Sequence, residues 1–484
     1  MHDHGGTVMK HTAALRVLLP SFLSLLLLFS SCAQNAEIRT PADTDRTGTQ
    51  AETVEEVPYV LLAGRDIPAD FTFVYNADDA GLRQQYLRFR DAAEAAVGER
   101  VTATDMYLDA VPYEILYGAD RRESYRAAAQ ELSEGEYAIT VQAENDGIKI
   151  ILAFSGRNAA AAVMDRFLAE FIDKRTTEKE IRIPMNTSIK DKAPDYAGAV
   201  ITSQIGRLRD PCIVIADGVY YAYGTGWVCY RNTTGSLAGE WEYLGMVAEI
   251  PADAETNYWA PEVHRYKDAY YMFTTYKSRK TGHRGCTVMK SDSPEGPFVE
   301  ISDGHVTPTD WDSIDGTLYV DRDGQPWMVF VHEWTSTDDG IGRMAAAKLS
   351  DDLSSFVSEP VELFRADDPA WTNQAVTDGC YLYDCADGTL LMIWSNFEDA
   401  GYCVGIARSD NGRVDGSWSQ DTRLLYSKNL TGTYDGGHGM IFEDTDGQLY
   451  LSIHSPNSPV GDRTETPVFI PIREEDSTLV WDFD

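Results

Sequence analysis

Five times from residue 217 onward in this 484-residue chain, a tight turn leads into a short run of aromatic and β-branched residues. The turns are Asp217-Gly218, Asp268-Ala269, Asp323-Gly324, Asp387-Gly388 and Asp446-Gly447, and the runs that follow are 219–223, 270–274, 326–331, 389–394 and 448–453. The repeat recurs every about 50 to about 65 residues, the length of one four-stranded blade, which predicts a mainly β fold with a five-bladed β-propeller. Between six and nine residues upstream of the turns stand Asp210, Glu262, Asp315, Asp378 and His438. If the copies are equivalent, these residues hold matching places on the innermost strands and converge on one axial pocket. Four carboxylates and an imidazole in one pocket point to acid–base chemistry.

The formal charge of −36 narrows the partners. Such a surface repels phosphate backbones and offers no counterion-release drive, so nucleic acid is excluded as a natural ligand. A neutral glycan fits better. At 24% charged and 43% hydrophobic residues, the composition is otherwise that of a globular protein long enough for two or three domains.

Lys10, His11 and Arg16 flank an apolar run from 18 to 29 that ends at Ser30-Ser31-Cys32. A basic stretch, a short apolar core and small residues before a cysteine describe a secretory signal of the bacterial lipoprotein type, with Cys32 as the lipidated residue. The run is too short to span a bilayer. The expectation is a cell-envelope protein, periplasmic or surface-displayed, that meets the membrane only through a lipid anchor. Residues 33–55, rich in Thr, Ala, Asp and Glu without periodicity, read as a flexible tether. Cys212, Cys229, Cys286, Cys380, Cys385 and Cys403 match no zinc spacing, and several fall within apolar strand runs, so buried free thiols are expected.

Residues 56–190 read as a small α/β accessory domain. A strand is predicted at 113–117 and an Ala-rich helix at 123–132. A hairpin is predicted at 137–142 and 148–154 around Asn145-Asp146-Gly147, and a second helix at 158–173. The segment 113–171 resembles the small α/β domain that precedes the catalytic barrel of β-hexosaminidases and α-glucuronidases, and no catalytic constellation stands out in it. A polar connector containing Pro194 leads to the propeller at 196–484.

The motifs of that propeller resemble one family. Arg209-Asp210-Pro211, Trp259-Ala260-Pro261-Glu262-Val263, Ser313-Ile314-Asp315-Gly316 and Gly437-His438-Gly439 follow one another in the order and spacing of glycoside hydrolase family 43. The resemblance covers roughly residues 200 to 455. It implies a five-bladed propeller of inverting glycosidases acting on arabinose-, xylose- or galactose-containing plant polysaccharide. Inversion needs one carboxylate to activate water and one carboxylic acid to protonate the leaving oxygen, roughly 6.5–9.5 Å apart. The resemblance makes Asp210 the general base and Asp315 a third acid that orients the proton donor and raises its pKa.

At the acid position the family's Glu-Gly-Pro is replaced by Asp378-Gly379-Cys380. The shorter side chain sets its carboxyl roughly 1.5 Å further back on an unchanged backbone. Asp378 is the expected acid, with Glu333 and then Glu262 in reserve. Loss of catalysis, leaving a glycan-binding envelope lipoprotein, is the alternative reading. Trp227, Trp259, Trp334 and Trp371 are the candidate sugar-stacking platforms. By resemblance His438 lies near a structural calcium held largely through waters, and no other cofactor is expected.

Overall fold

The computed structural model describes residues 59–63, 71–98, 102–144, 147–174 and 180–483. The signal, the tether, Cys32 and the tip residues Asn145 and Asp146 lie outside the described residues. Four four-stranded antiparallel sheets and a fifth of five strands follow in chain order, each laid down from its innermost strand outward. Their innermost strands are Cys212–Ala216, Ala254–Tyr266, Ser313–Val320, Asp378–Asp384 and Gly437–Glu443, here the inner strands of blades I to V. The fold is the expected five-bladed propeller. The second strands, Val219–Gly224, Ala269–Ser278, Pro326–His332, Leu390–Glu398 and Leu449–Ser455, begin at the predicted turns.

Closure uses both ends of the domain. The two-residue strand Ile201–Thr202 pairs with Val468 and Phe469 on the third strand of blade V, and Thr478–Trp481 pairs with the far end of that same strand. A sheet edge that would stay unpaired is thereby occupied from both termini. Side chains between the blades form the core. Trp394, Tyr220, Tyr223 and Phe273 are fully buried, and all six cysteines among the described residues are buried and free.

The small domain is a mixed six-stranded sheet, ordered Thr102–Asp105, Thr72–Tyr75, Tyr113–Tyr117, Gly147–Phe154, Glu136–Glu144, Ser188–Lys192. Helices Ala80–Val97, Glu123–Gln130 and Arg157–Phe167 cover it, the last running on as π-helix through Leu168–Asp173. Two features differ from expectation. The stretch around Lys190 is an edge strand rather than pure connector, because Ser188–Lys192 pairs with Thr140–Glu136. The helix Ala80–Val97 is an added element, capped by Asp79, whose side chain accepts the Leu82 N–H, and ended by left-handed Gly98. Its Phe89, Ala93 and Ala96 enter the core.

Candidate active site

A β-bulge at the head of the inner strands builds the site. In blades II to V the ladder to the second strand skips two residues: Ala260-Pro261, Asp315-Gly316, Gly379-Cys380 and His438-Gly439. The first residue of each pair has positive φ: 43° at Ala260, 57° at Asp315, 37° at Gly379 and 52° at His438. Asp210, two residues before the first paired residue of blade I, has φ 56°. Left-handed backbone costs a non-glycine residue of order 1–3 kcal/mol and persists where the surroundings enforce it. Here the bulge turns the side chain away from the sheet normal and toward the axis.

Each bulge N–H is passed to the preceding blade. Asp210 donates to His454 Nδ1 (3.3 Å), Ala260 to Thr225 Oγ1 (3.0 Å), Asp315 to Thr275 Oγ1 (3.1 Å) and His438 to Ser395 Oγ (2.8 Å). Blade IV departs from this pattern, since Gly379 donates to the carboxylate of Asp315 (Oδ2, 3.0 Å). The ring of donors that sets the strained backbone thus also closes the propeller.

This register corrects the expected equivalence. Asp210, Asp315 and His438 do occupy matching bulge positions. Glu262 stands two residues further along its strand, level with Thr317, and Asp378 stands one residue before its bulge, level with Trp259 and Ile314. Blade IV holds no side chain at the bulge for a steric reason: a Cβ on Gly379 would lie 2.8 Å from the His438 ring. The carboxyl group is displaced one position upstream.

Asp210, Asp315, Asp378, His438, Glu333, Trp259 and Trp334 line one pocket of 370 Å³, together with Arg209, Thr225 and Tyr402. Burial would raise the Asp210 carboxyl, but His438, His454, Arg209 and the Thr225 hydroxyl, which donates to Oδ2 at 2.5 Å, bring it below the ordinary carboxylate range. The working cations are His438 and Arg209, because burial pushes His454 down to about 4 and its Nδ1 accepts the Asp210 N–H. Asp378 is pushed up to about 7 by burial and by the neighbouring charge of Asp315, with His438 and Tyr402 pulling the other way. Tyr402 donates to its Oδ2 at 3.0 Å, which leaves Oδ1 to carry a proton. Burial also raises Asp315, against His438 and the Gly379 N–H.

Glu333 sits in the same pocket, just beyond the second strand of blade III. Burial raises its carboxyl above the ordinary range, and Arg284, donating from Nε to Oε2 at 2.6 Å, offsets this only in part. A guanidinium at that distance favours the anion, whereas the partner of Asp378 is a neutral phenol. Glu262 does not line the pocket. It lies deeper along the axis, accepting from Thr317 Oγ1 at 2.8 Å and facing His264 Nε2 at 3.2 Å.

Two of the four tryptophans are in place for sugar stacking. Trp259 lines the pocket with Arg284 over its ring at 5.9 Å, and Trp334 lies beside Glu333. Trp227 is fully buried against Tyr258, and Trp371 packs on Trp394 in the blade core, so neither faces the pocket. Thr225, Tyr402 and His454 carry no sequence signal. Thr225 follows a strand end, and Tyr402 opens the third strand of blade IV like many other tyrosines here.

For a calcium held through waters near His438, the oxygens on offer are the carboxylates of Asp210, Asp315 and Asp378 in the same pocket. Burial lowers the His438 imidazole, but Asp210, Asp315 and Asp378 more than offset this and raise it, favouring the doubly protonated ring. Its Nδ1 faces Asp210 Oδ1 at 3.4 Å and Asp315 Oδ2 at 3.7 Å.

Residues 202–473 match the model of glycosyl hydrolases family 43, and the chain belongs to that family of glycosidases. Of solved structures, the endo-arabinase from Bacteroides thetaiotaomicron VPI-5482 is 35% identical with a TM-score of 0.51; the match covers 57% of this chain and 98% of that one. A thermostable family-43 glycoside hydrolase shares the fold at 22% identity and a TM-score of 0.52, over 58% of this chain and 95% of its own. A probable arabinan endo-1,5-alpha-L-arabinosidase A of Aspergillus flavus is 27% identical over 267 residues, 54% of this chain and 77% of the relative.

Proposed function

We propose that this chain is an inverting glycosidase that hydrolyses α-L-arabinofuranosidic bonds in an arabinan-type plant polysaccharide. The observation that carries the chemistry is the divergence of two carboxyl groups in one pocket: Asp210 held below the ordinary range and Asp378 pushed up to about 7. Near neutral pH one is a carboxylate that can take a proton from water, and the other retains a proton to give. Asp210, steadied by Thr225, deprotonates the attacking water. Asp378 protonates the leaving oxygen from Oδ1 while Tyr402 holds Oδ2. Asp315 binds the Gly379 N–H, the peptide next to the acid, and its charge keeps the Asp378 proton on. Asp315 is therefore a positioning residue. Trp259 and Trp334 are the stacking surfaces for the sugar.

The choice of arabinan rests on the relatives, whose names include an endo-arabinase and several probable arabinan arabinosidases. Xylosides and galactosides are the competing substrates. Hydrolysis of an aryl-glycoside panel and of linear arabinan separates them, and proton NMR of the first product reads the stereochemistry. The expected result is turnover of α-L-arabinofuranosides with the β-anomer appearing first. The α-anomer first, or turnover of β-xylosides alone, would overturn this reading.

The site of action is proposed to be the bacterial cell envelope, with the chain anchored through a lipid on Cys32. The support is the basic, apolar and small-residue order that precedes this cysteine. Labelled palmitate should enter the protein and be lost in Cys32→Ala; labelling of neither would leave plain secretion.

A further inference from the structure

Outside the catalytic pocket, one carboxylate touches both halves of the machinery inside it. Asp435 is half-buried on the loop that enters the inner strand of blade V, and it does not line the pocket. Its Oδ2 accepts the N–H of Tyr402 at 3.2 Å, and its Oδ1 accepts the N–H of Asn457 at 3.2 Å. These two partners lead to opposite sides of the reaction.

The Tyr402 arm leads to the acid. Blade V holds both main-chain groups of Tyr402: Asp435 takes its N–H, and its carbonyl accepts the Gly436 N–H at 3.1 Å. The phenol then donates to Asp378 Oδ2 at 3.0 Å, so the place of that hydroxyl depends on the Asp435 loop. The Asn457 arm leads to the base. His454 Nδ1 accepts the Asp210 N–H, so the ring carries its proton on Nε2, which donates to Asn457 Oδ1 at 3.0 Å. The same amide oxygen accepts from Arg209 Nη2 at 3.1 Å, and the Asn457 carbonyl accepts from Nη1 at 2.8 Å. Asn457 thus sets the tautomer of the ring that pins the left-handed Asp210 backbone, and also the place of the guanidinium beside it. The loop has little play between the arms. A Cβ on Gly437 would lie 2.6 Å from the Tyr402 ring, and one on Gly436 would lie 2.6 Å from the His454 carbonyl oxygen.

We infer that Asp435 is a positioning residue for the hydrolysis, a single carboxylate that ties the holder of the base to the holder of the acid and so fixes the distance between them. Inversion depends on that distance, because the attacking water must fit between the two carboxyl groups. A carboxylate suits the task, since its two oxygens accept two divergent N–H groups at once. An amide in its place offers one oxygen and turns an NH₂ group toward the other N–H. The inference rests on the roles proposed above for Asp210 and Asp378.

Asp435→Asn, which keeps the shape of the side chain, tests this on aryl glycosides of whichever sugar the parent turns over, with phenols from strongly to weakly acidic. The best leaving groups need no proton and read the base; the poorest read the acid as well. The expected result is a kcat about tenfold lower on the best leaving groups and a further decline toward the poorest, with KM changed less than about twofold. Made in Tyr402→Phe, the same substitution should add no further leaving-group dependence, because the phenol it acts through is gone. Asn457→Ala cuts the links from the amide oxygen to His454 and Arg209, and serves where Asp435→Asn fails to fold. It should show the loss on the best leaving groups without the further decline. A kcat in Asp435→Asn within about twofold of the parent, a uniform loss across all leaving groups, a loss confined to KM, or a steepening in Asn457→Ala would overturn the inference. Absence of leaving-group dependence in Asp378→Asn would instead sink the catalytic reading, so the two fail separately.

Discussion

The base side and the acid side of the catalytic pocket are built on the same strand position with opposite results. In blade I the bulge residue itself is the carboxylate: Asp210 points to the axis, beside His438, with a hydroxyl donor on one oxygen. In blade IV the bulge residue is Gly379, the carboxylate stands one residue earlier, and its neighbour is the charge of Asp315. Cations surround the first group, whereas an anion and a phenol attend the second. The two aspartates thus acquire different protonation states from their surroundings alone. The one-residue displacement also bears on the short side chain: Asp378 leaves from a different backbone atom than a bulge residue would, and Tyr402 fixes where its carboxyl ends.

The comparison breaks most sharply if either carboxyl group is neutralised. Asp378→Asn is expected to lower kcat/KM on polysaccharide by about 10²- to 10⁴-fold, and Asp210→Asn by at least as much, measured by release of reducing sugar. A smaller loss in Asp378→Asn than in Glu333→Gln would exchange their roles. Next in size is Tyr402→Phe, expected to cost about tenfold, because a misplaced donor loses rate steeply. Since the phenol lowers the Asp378 pKa, its removal should also move the alkaline limb of the rate profile upward from about 7. Asp315→Asn should move that limb downward, because Asp315 raises the pKa of the acid. Opposite movements in these two variants would separate the roles of the hydrogen bond and the charge.

Smaller still is an effect on stability. Asp378 has a folded-state pKa of about 7, above its unfolded value. Relative to a neutral side chain, its ionised form is disfavoured in the fold, so stability is fully present below about pH 4 and is lost as pH rises through 7. Asp378→Asn should therefore raise Tm at pH 8, and the gain should fade toward pH 4. A gain independent of pH would place the carboxyl group elsewhere than against Asp315.

Much of this fold was legible because a propeller repeats its own grammar. The Asp-Gly turns mark the start of the second strands, and Asp210, Asp315 and His438 stand at one structural position in three blades. Glu262 and Asp378 were misaligned with them because a bulge inserts residues without changing the hydrophobic alternation on either side. Spacing from the turn is therefore uncertain by one or two places. Trp227 and Trp371 show the other limit: composition near a motif says nothing about which face of a strand a ring takes. In the small domain, Tyr113–Tyr117 was legible to the residue, while the helix Ala80–Val97 is hidden by its arginines and glutamines. Tyr402 and Thr225 enter the site only through pairing between strands, which no single sequence displays.

The most direct test of Asp378 as proton donor is the dependence of rate on the leaving group. The parent, Asp378→Asn, Glu333→Gln and Asp210→Asn would be compared on aryl arabinofuranosides whose phenols range from strongly acidic to weakly acidic. A leaving group that needs no proton bypasses the acid but not the base. Asp378→Asn should therefore approach the parent on dinitrophenyl substrates and fall away steeply on poor leaving groups, while Asp210→Asn is slow on all of them. A flat loss in Asp378→Asn, with the steep dependence appearing in Glu333→Gln instead, would contradict the assignment.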